Sequence, residues 1–257
     1  MGKLDLDKLK AEVDQEMSKG KGPNAANKLQ GAFNNKDLTP NEYQKFGEIL
    51  RDCIVKDPES FMEKGYVLFD KMVRPRNGAK LAEFEKFFVQ NFCKLPGEEF
   101  EVIFDGVVES GKSTNTGQVF VSNMRIIATG VQEAKQANVS GGFLSFIAMG
   151  SYLYNKSIME QVMKSVNAAA GQFIPFGVIY PIKNCFGVEQ ASKGFGVKAP
   201  NRVKYNVDVT YVNKKGKEET STLEMVVYPL LANDWKNPQM AEILGKVEAA
   251  LKKVAKA

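Results

Sequence analysis

The hydrophobic pattern of this chain changes its period at Leu95-Pro96-Gly97. Before this tripeptide, apolar residues recur at the spacing of amphipathic helices. After it, β-branched and aromatic runs alternate with turn residues, which indicates strands. The change predicts an α+β protein with a helical domain over 1–95 and a strand-rich domain over 96–257.

Several stretches of the first domain carry helix signals. A helical repeat of apolar residues begins at Leu6 and is interrupted by the turn residues of Gly20 to Pro23. Thr39-Pro40-Asn41-Glu42 is a capping box with proline at the first helical position. Further helices are predicted from Asp57-Pro58 and after Gly78. The last of them carries apolar residues that predict core packing: Leu81, Phe84, Phe87, Phe88 and Phe92.

The second domain has the pattern of an antiparallel meander closed by one helix. The turn from Asn213 to Lys217 separates two strong strand patterns and predicts a hairpin. Pro238 opens an amphipathic helix that ends in several lysines, which suit the negative pole of the helix dipole. A dense apolar tract over about 140–172 predicts a helical insertion between strands. The predicted strands span about 99–109, 117–129, 174–182, 184–190, 192–198, 201–212 and 218–228.

Residues Gly106 to Ser113 read G-V-V-E-S-G-K-S and match the P-loop pattern G-x-x-x-x-G-K-[ST]. In a P-loop, a helix follows the pattern, and its N-terminus holds the phosphates together with the lysine. Here the residues after Ser113 are β-branched and aromatic and predict a strand, so 109–117 is predicted to be a hairpin loop. The alternative function is a P-loop NTPase, which would use Gly106, Gly111, Lys112 and Ser113.

Composition limits the chemistry that is available. The 257 residues include no histidine, which excludes imidazole metal ligands and histidine-based catalysis. Cys53, Cys93 and Cys185 are scattered and lack metal-ligand spacing, which favours a reduced setting. Carboxylate pairs such as Glu98-Glu99 are predicted to be solvated charge. The chain is therefore predicted not to be an enzyme and to need no cofactor and no metal.

The charge balance and hydropathy favour a cytoplasmic protein. A formal net charge of +5 falls short of a nucleic-acid-binding surface, so no nucleic-acid partner is predicted. The N-terminus lacks a secretory signal, and no run reaches the roughly 18 apolar residues of a spanning helix. Contact with a membrane would accordingly be peripheral.

The strand region from Glu98 onward resembles pleckstrin-homology-like (PH-like) domains, especially the GRAM and bacterial PH subfamilies. The tract from Thr116 to Ile127 has their glycine, apolar strand and Ser-Asn-x-Arg ending. The tract from Tyr180 to Glu189 is similar to their I-P-x-x-x-I-x-x-V-E strand. The resemblance implies an antiparallel β-sandwich or barrel that is capped by a C-terminal helix and serves as a binding module for lipid headgroups or protein partners.

The resemblance also implies that Lys112 and Arg125 bind a lipid headgroup. Asn123 stands where phosphoinositide-binding members have a further basic residue, so one charge-assisted hydrogen bond is missing. The predicted function is a non-catalytic adaptor that binds an anionic membrane or a protein partner.

The apolar insertion offers a second contact with a membrane or a partner. Its contact residues are predicted to be Phe143, Leu144, Phe146, Ile147 and Tyr152. Two other interpretations of this segment stay open: it packs onto the N-terminal helices, or it is the homo-oligomer interface of a self-assembling structural protein.

Overall fold

The computed structural model describes residues 4–35, 38–57, 66–110, 113–129, 131–134, 177–191, 201–212, 217–230 and 237–256. These residues form two compact units, one up to Leu95 and one from Pro96 onward. The described parts are α+β, with helices in the first unit and antiparallel strands plus a C-terminal helix in the second. The predicted insertion and its contact residues lie outside the described residues, as do Gly111 and Lys112.

Four helices are described in the first unit: α1 (Leu6–Ser18), α2 (Gly22–Asn35), α3 (Pro40–Lys56) and α4 (Tyr66–Phe92). Helices α1 and α3 confirm the sequence prediction, whereas α2 was not predicted, because its glycine, proline and asparagines obscure the apolar pattern. The predicted break at Gly78 is wrong, since α4 continues through it. A glycine inside a helix costs only about 1 kcal/mol, which the burial of neighbouring side chains outweighs.

The ends of two helices follow from local chemistry. At the start of α3, Glu42 accepts a hydrogen bond from the backbone N–H of Thr39 at 2.8 Å, as the capping box predicts. At the end of α1, Gly20 adopts a positive φ of 67°. Its N–H then bonds back to the Met17 carbonyl at 3.0 Å, which closes the helix.

The core of the first unit is a cluster of aromatic rings around Phe84. This fully buried side chain has its ring centroid 5.3 Å from that of Phe46, 5.5 Å from Tyr43 and 5.6 Å from Phe33. The rings meet in tilted or edge-on arrangements, which aromatic pairs prefer. The aromatic stripe of α4 is therefore core, as its spacing predicted.

The second unit contains a mostly sequential antiparallel sheet. Its strands are β1 (Phe100–Ser110), β2 (Ser113–Ser122), β3 (Arg125–Thr129), β4 (Val131–Ala134), β5 (Gly177–Pro181), β6 (Phe186–Ala191), β7 (Arg202–Val212) and β8 (Glu218–Pro229). The hydrogen-bonded order is β5-β3-β2-β1-β8-β7-β6, and β4 pairs with β2 beside β3. Within the described residues this path is open, with β5 and β6 at its two ends.

Most predicted strands are confirmed, with two differences. The strand predicted over 117–129 is two strands, β2 and β3, because the chain turns at Asn123 and Met124. Strand β4 was not predicted, and the strand predicted over 192–198 lies outside the described residues.

The apolar core of the second unit lies on the inner face of this sheet. Val121, Ile126 and Tyr180 stand side by side on β2, β3 and β5, and each is at most 1% exposed. The opposite face is buried too, since Phe120, Ile127 and Ile179 form the next row and are at most 2% exposed. Burial on both faces explains why these strands carry apolar residues at consecutive positions.

A C-terminal helix, α5 (Pro238–Val254), closes the inner face of the sheet. Its buried residues are Met240, Leu244, Val247, Ala250 and Leu251. The end of α5 is tied to the turn before β6, where the Lys256 N–H donates to the Cys185 carbonyl at 2.7 Å. The amphipathic helix predicted from Pro238 is confirmed.

We expect Gly106→Ala to lower the free energy of unfolding by about 1–3 kcal/mol, because the position has no room for a methyl group. A Cβ at Gly106 would lie 2.5 Å from the Phe104 ring and 2.8 Å from the Tyr228 carbonyl oxygen. Gly245→Ala is the matched control, since a Cβ there meets nothing within 4 Å and alanine favours the helix. Urea unfolding of the two variants measures the difference. Equal stability would contradict the packing role of Gly106.

Candidate functional site

The P-loop pattern lies on a β-hairpin. Strand β1 runs through Gly106 to Ser110, β2 begins at Ser113, and these two serines are in-register partners. The ladder continues from there, with Glu109 opposite Thr114 and Gly106 opposite Gly117. The loop predicted over 109–117 is therefore wrong in extent, because most of it is paired strand.

This backbone differs from that of a phosphate-binding loop. A P-loop needs a helix directly after the lysine, because the free N–H groups of its first turn point at the phosphates. Here Ser113 opens a strand that pairs with β1 on one side and with β4 on the other. Because β2 is paired on both sides, its backbone N–H groups are used in strand pairing and few remain to bind an anion.

The predicted headgroup ligand Arg125 is buried in an ion pair. Its side chain is 4% exposed, and its partner Glu98 is fully buried. The Arg125 Nε donates to Glu98 Oε1 and Nη2 donates to Glu98 Oε2, both at 2.9 Å. This two-point contact is the strongest geometry for a guanidinium and a carboxylate. It corrects two expectations, since Arg125 does not face solvent and Glu98 is not solvated charge.

Ser122 completes the pair from the turn between β2 and β3. Its hydroxyl donates to Glu98 Oε1 at 2.7 Å. The same Oγ accepts the backbone N–H of Arg125 at 3.0 Å. The carboxylate of Glu98 therefore has hydrogen bonds on both oxygens, which compensates for its burial.

Asn123 ties the same turn to the segment before β1. Its Oδ1 accepts the Glu99 N–H at 2.9 Å, and its Nδ2 donates to the Gly97 carbonyl at 3.1 Å. We call residues 122–125 with their partners 97–99 the Glu98–Arg125 clamp. The Ser-Asn-x-Arg tract that carries the PH-like resemblance thus has a structural role here. Asn123 occupies the position where a basic ligand was expected, and its side chain holds the backbone of Gly97 and Glu99 instead.

Sequence reasoning found the tract but missed its partner. Glu98 lies 27 residues before Arg125, so nothing in the local pattern joins the two. The available signal was that a basic and an acidic residue each sit directly beside an apolar strand.

Burial makes the thiols of Cys53 and Cys185 poor nucleophiles. Cys53, Cys93 and Cys185 are all buried. Burial raises the pKa of the Cys53 thiol to about 12 and also raises the pKa of Cys185. At neutral pH both groups are therefore protonated, whereas thiol catalysis needs the thiolate.

A tyrosine and a carboxylate meet beside the P-loop pattern. The Tyr228 hydroxyl donates to Glu109 Oε1 at 2.9 Å. The pKa of Tyr228 is raised mainly by burial and, as the second cause, by the hydrogen bond to Glu109. The phenol therefore stays a neutral hydrogen-bond donor. Across the described residues, no cluster of histidine, cysteine, aspartate or glutamate has the arrangement of a metal site.

The lysines of α5 face carboxylates. Lys246 lies 2.6 Å from Glu242, and Lys252 lies 2.6 Å from Glu248. Lys253 reaches Glu101 on β1 at 2.7 Å. These exposed pairs contribute little to stability. They do lower the net positive charge that α5 presents to an anionic surface.

None of the helices in the described ranges combines the length and the apolar composition that a membrane crossing requires. Comparisons with protein families, curated proteins and solved structures find nothing that matches this chain.

We expect Arg125→Met to lower the free energy of unfolding by about 3–5 kcal/mol, because it leaves the Glu98 carboxylate buried without its cation. Lys253→Met is the control: it removes the lysine of an exposed pair, 61% exposed, and should cost at most about 1 kcal/mol. Urea unfolding followed by circular dichroism compares the variants. Similar losses in both would show that the clamp does not stabilise the fold.

Millimolar magnesium–ATP or magnesium–GTP is expected to leave the thermal unfolding midpoint unchanged, in the wild type and in Lys112→Ala alike. A nucleotide that bound the native state would raise this midpoint. A rise in the wild type that Lys112→Ala abolishes would contradict the hairpin interpretation and support a nucleotide site.

Proposed function

We propose that this protein is a non-catalytic adaptor whose second unit is a PH-like binding module. The observation that carries the proposal is the arrangement of that unit, in which two antiparallel meanders meet at β1 and β8 under a C-terminal helix. This arrangement agrees with the strand-and-helix order that the PH-like resemblance implies. Binding modules of this kind act through their surface and loops, so their function does not require reactive side chains.

The chemistry of the described side chains supports a role without catalysis. The chain has no histidine, and burial keeps the Cys53 and Cys185 thiols protonated. In the Glu98–Arg125 clamp, both oxygens of the carboxylate accept hydrogen bonds from the guanidinium. Both side chains are buried inside the fold, so the proposal gives this ion pair a structural role.

The proposed ligand contact lies away from Arg125. Because that guanidinium already binds Glu98, a headgroup site at this position would keep Lys112 as its cation without Arg125. Specific phosphoinositide recognition is therefore a poor fit. We propose instead a weak contact with anionic membranes in which apolar side chains of the insertion, among them Phe143 and Phe146, enter the headgroup layer.

Co-sedimentation of the full chain with vesicles tests this proposal. We expect binding to phosphatidylcholine vesicles that contain phosphatidylserine, and weaker binding to phosphatidylcholine alone. Phe143→Asp combined with Phe146→Asp should abolish sedimentation, because two charges cannot enter the apolar layer at low cost. Val55→Asp is the matched control, since Val55 is an apolar residue with 73% exposure in the helical unit.

The outcomes separate the alternatives. Absence of sedimentation with either vesicle would overturn the membrane proposal. If light scattering then showed a larger mass that the double variant reduces to a monomer, the segment would be a homo-oligomer interface. If the protein binds no vesicle and light scattering shows a monomer, a protein partner is the alternative that remains. The unfolding midpoint of the double variant shows whether it is folded, and Lys112→Glu provides a second variant that leaves the apolar segment intact.

A further inference from the structure

We draw no further inference here: the strongest candidate, the open cleft of about 430 Å³ between α1 and α2, carries none, because Lys8 and Lys28 line it together with Asp5 and Glu12, so that its charges balance, and nothing in the structure shows what would occupy it.

Discussion

Strand β1 holds the second unit together. It pairs with β2 along one edge and with β8 along the other, so the two meanders of the sheet meet only through this strand in the described path. A shift of its register by one residue would turn Phe104 and Val108 away from the core. The Glu98–Arg125 clamp ties the residues that precede β1 to the turn between β2 and β3. The packing of the core, and the packing of α5 against the sheet, both depend on the position of β1.

The same strand explains why a complete P-loop pattern occurs without a P-loop backbone. Gly106 is a glycine because the Phe104 ring and the Tyr228 carbonyl occupy the space of a side chain. Ser113 enters a ladder opposite Ser110. Gly106 therefore satisfies the pattern for a reason of strand packing. A phosphate-binding motif has meaning only where a helix N-terminus follows it.

Many charged side chains of the second unit's described residues are paired with a side chain of opposite charge. Arg125 is buried in its ion pair with Glu98, and the lysines of α5 face carboxylates. Paired charges offer little to an anionic surface, which is why the proposed membrane contact relies on apolar residues of the insertion.

The sequence by itself determined the elements whose signals are local. These are the change of period at Leu95, the aromatic face of α4, the strand after Ser113 and the amphipathic helix from Pro238, because propensity, capping and periodicity act over a few residues. Only the tertiary structure decided the partner of Arg125, the burial of Glu98 and the helical state of α2. Each of these depends on groups that are distant in the chain, and the free energy of burying a side chain is set by whatever surrounds it after folding.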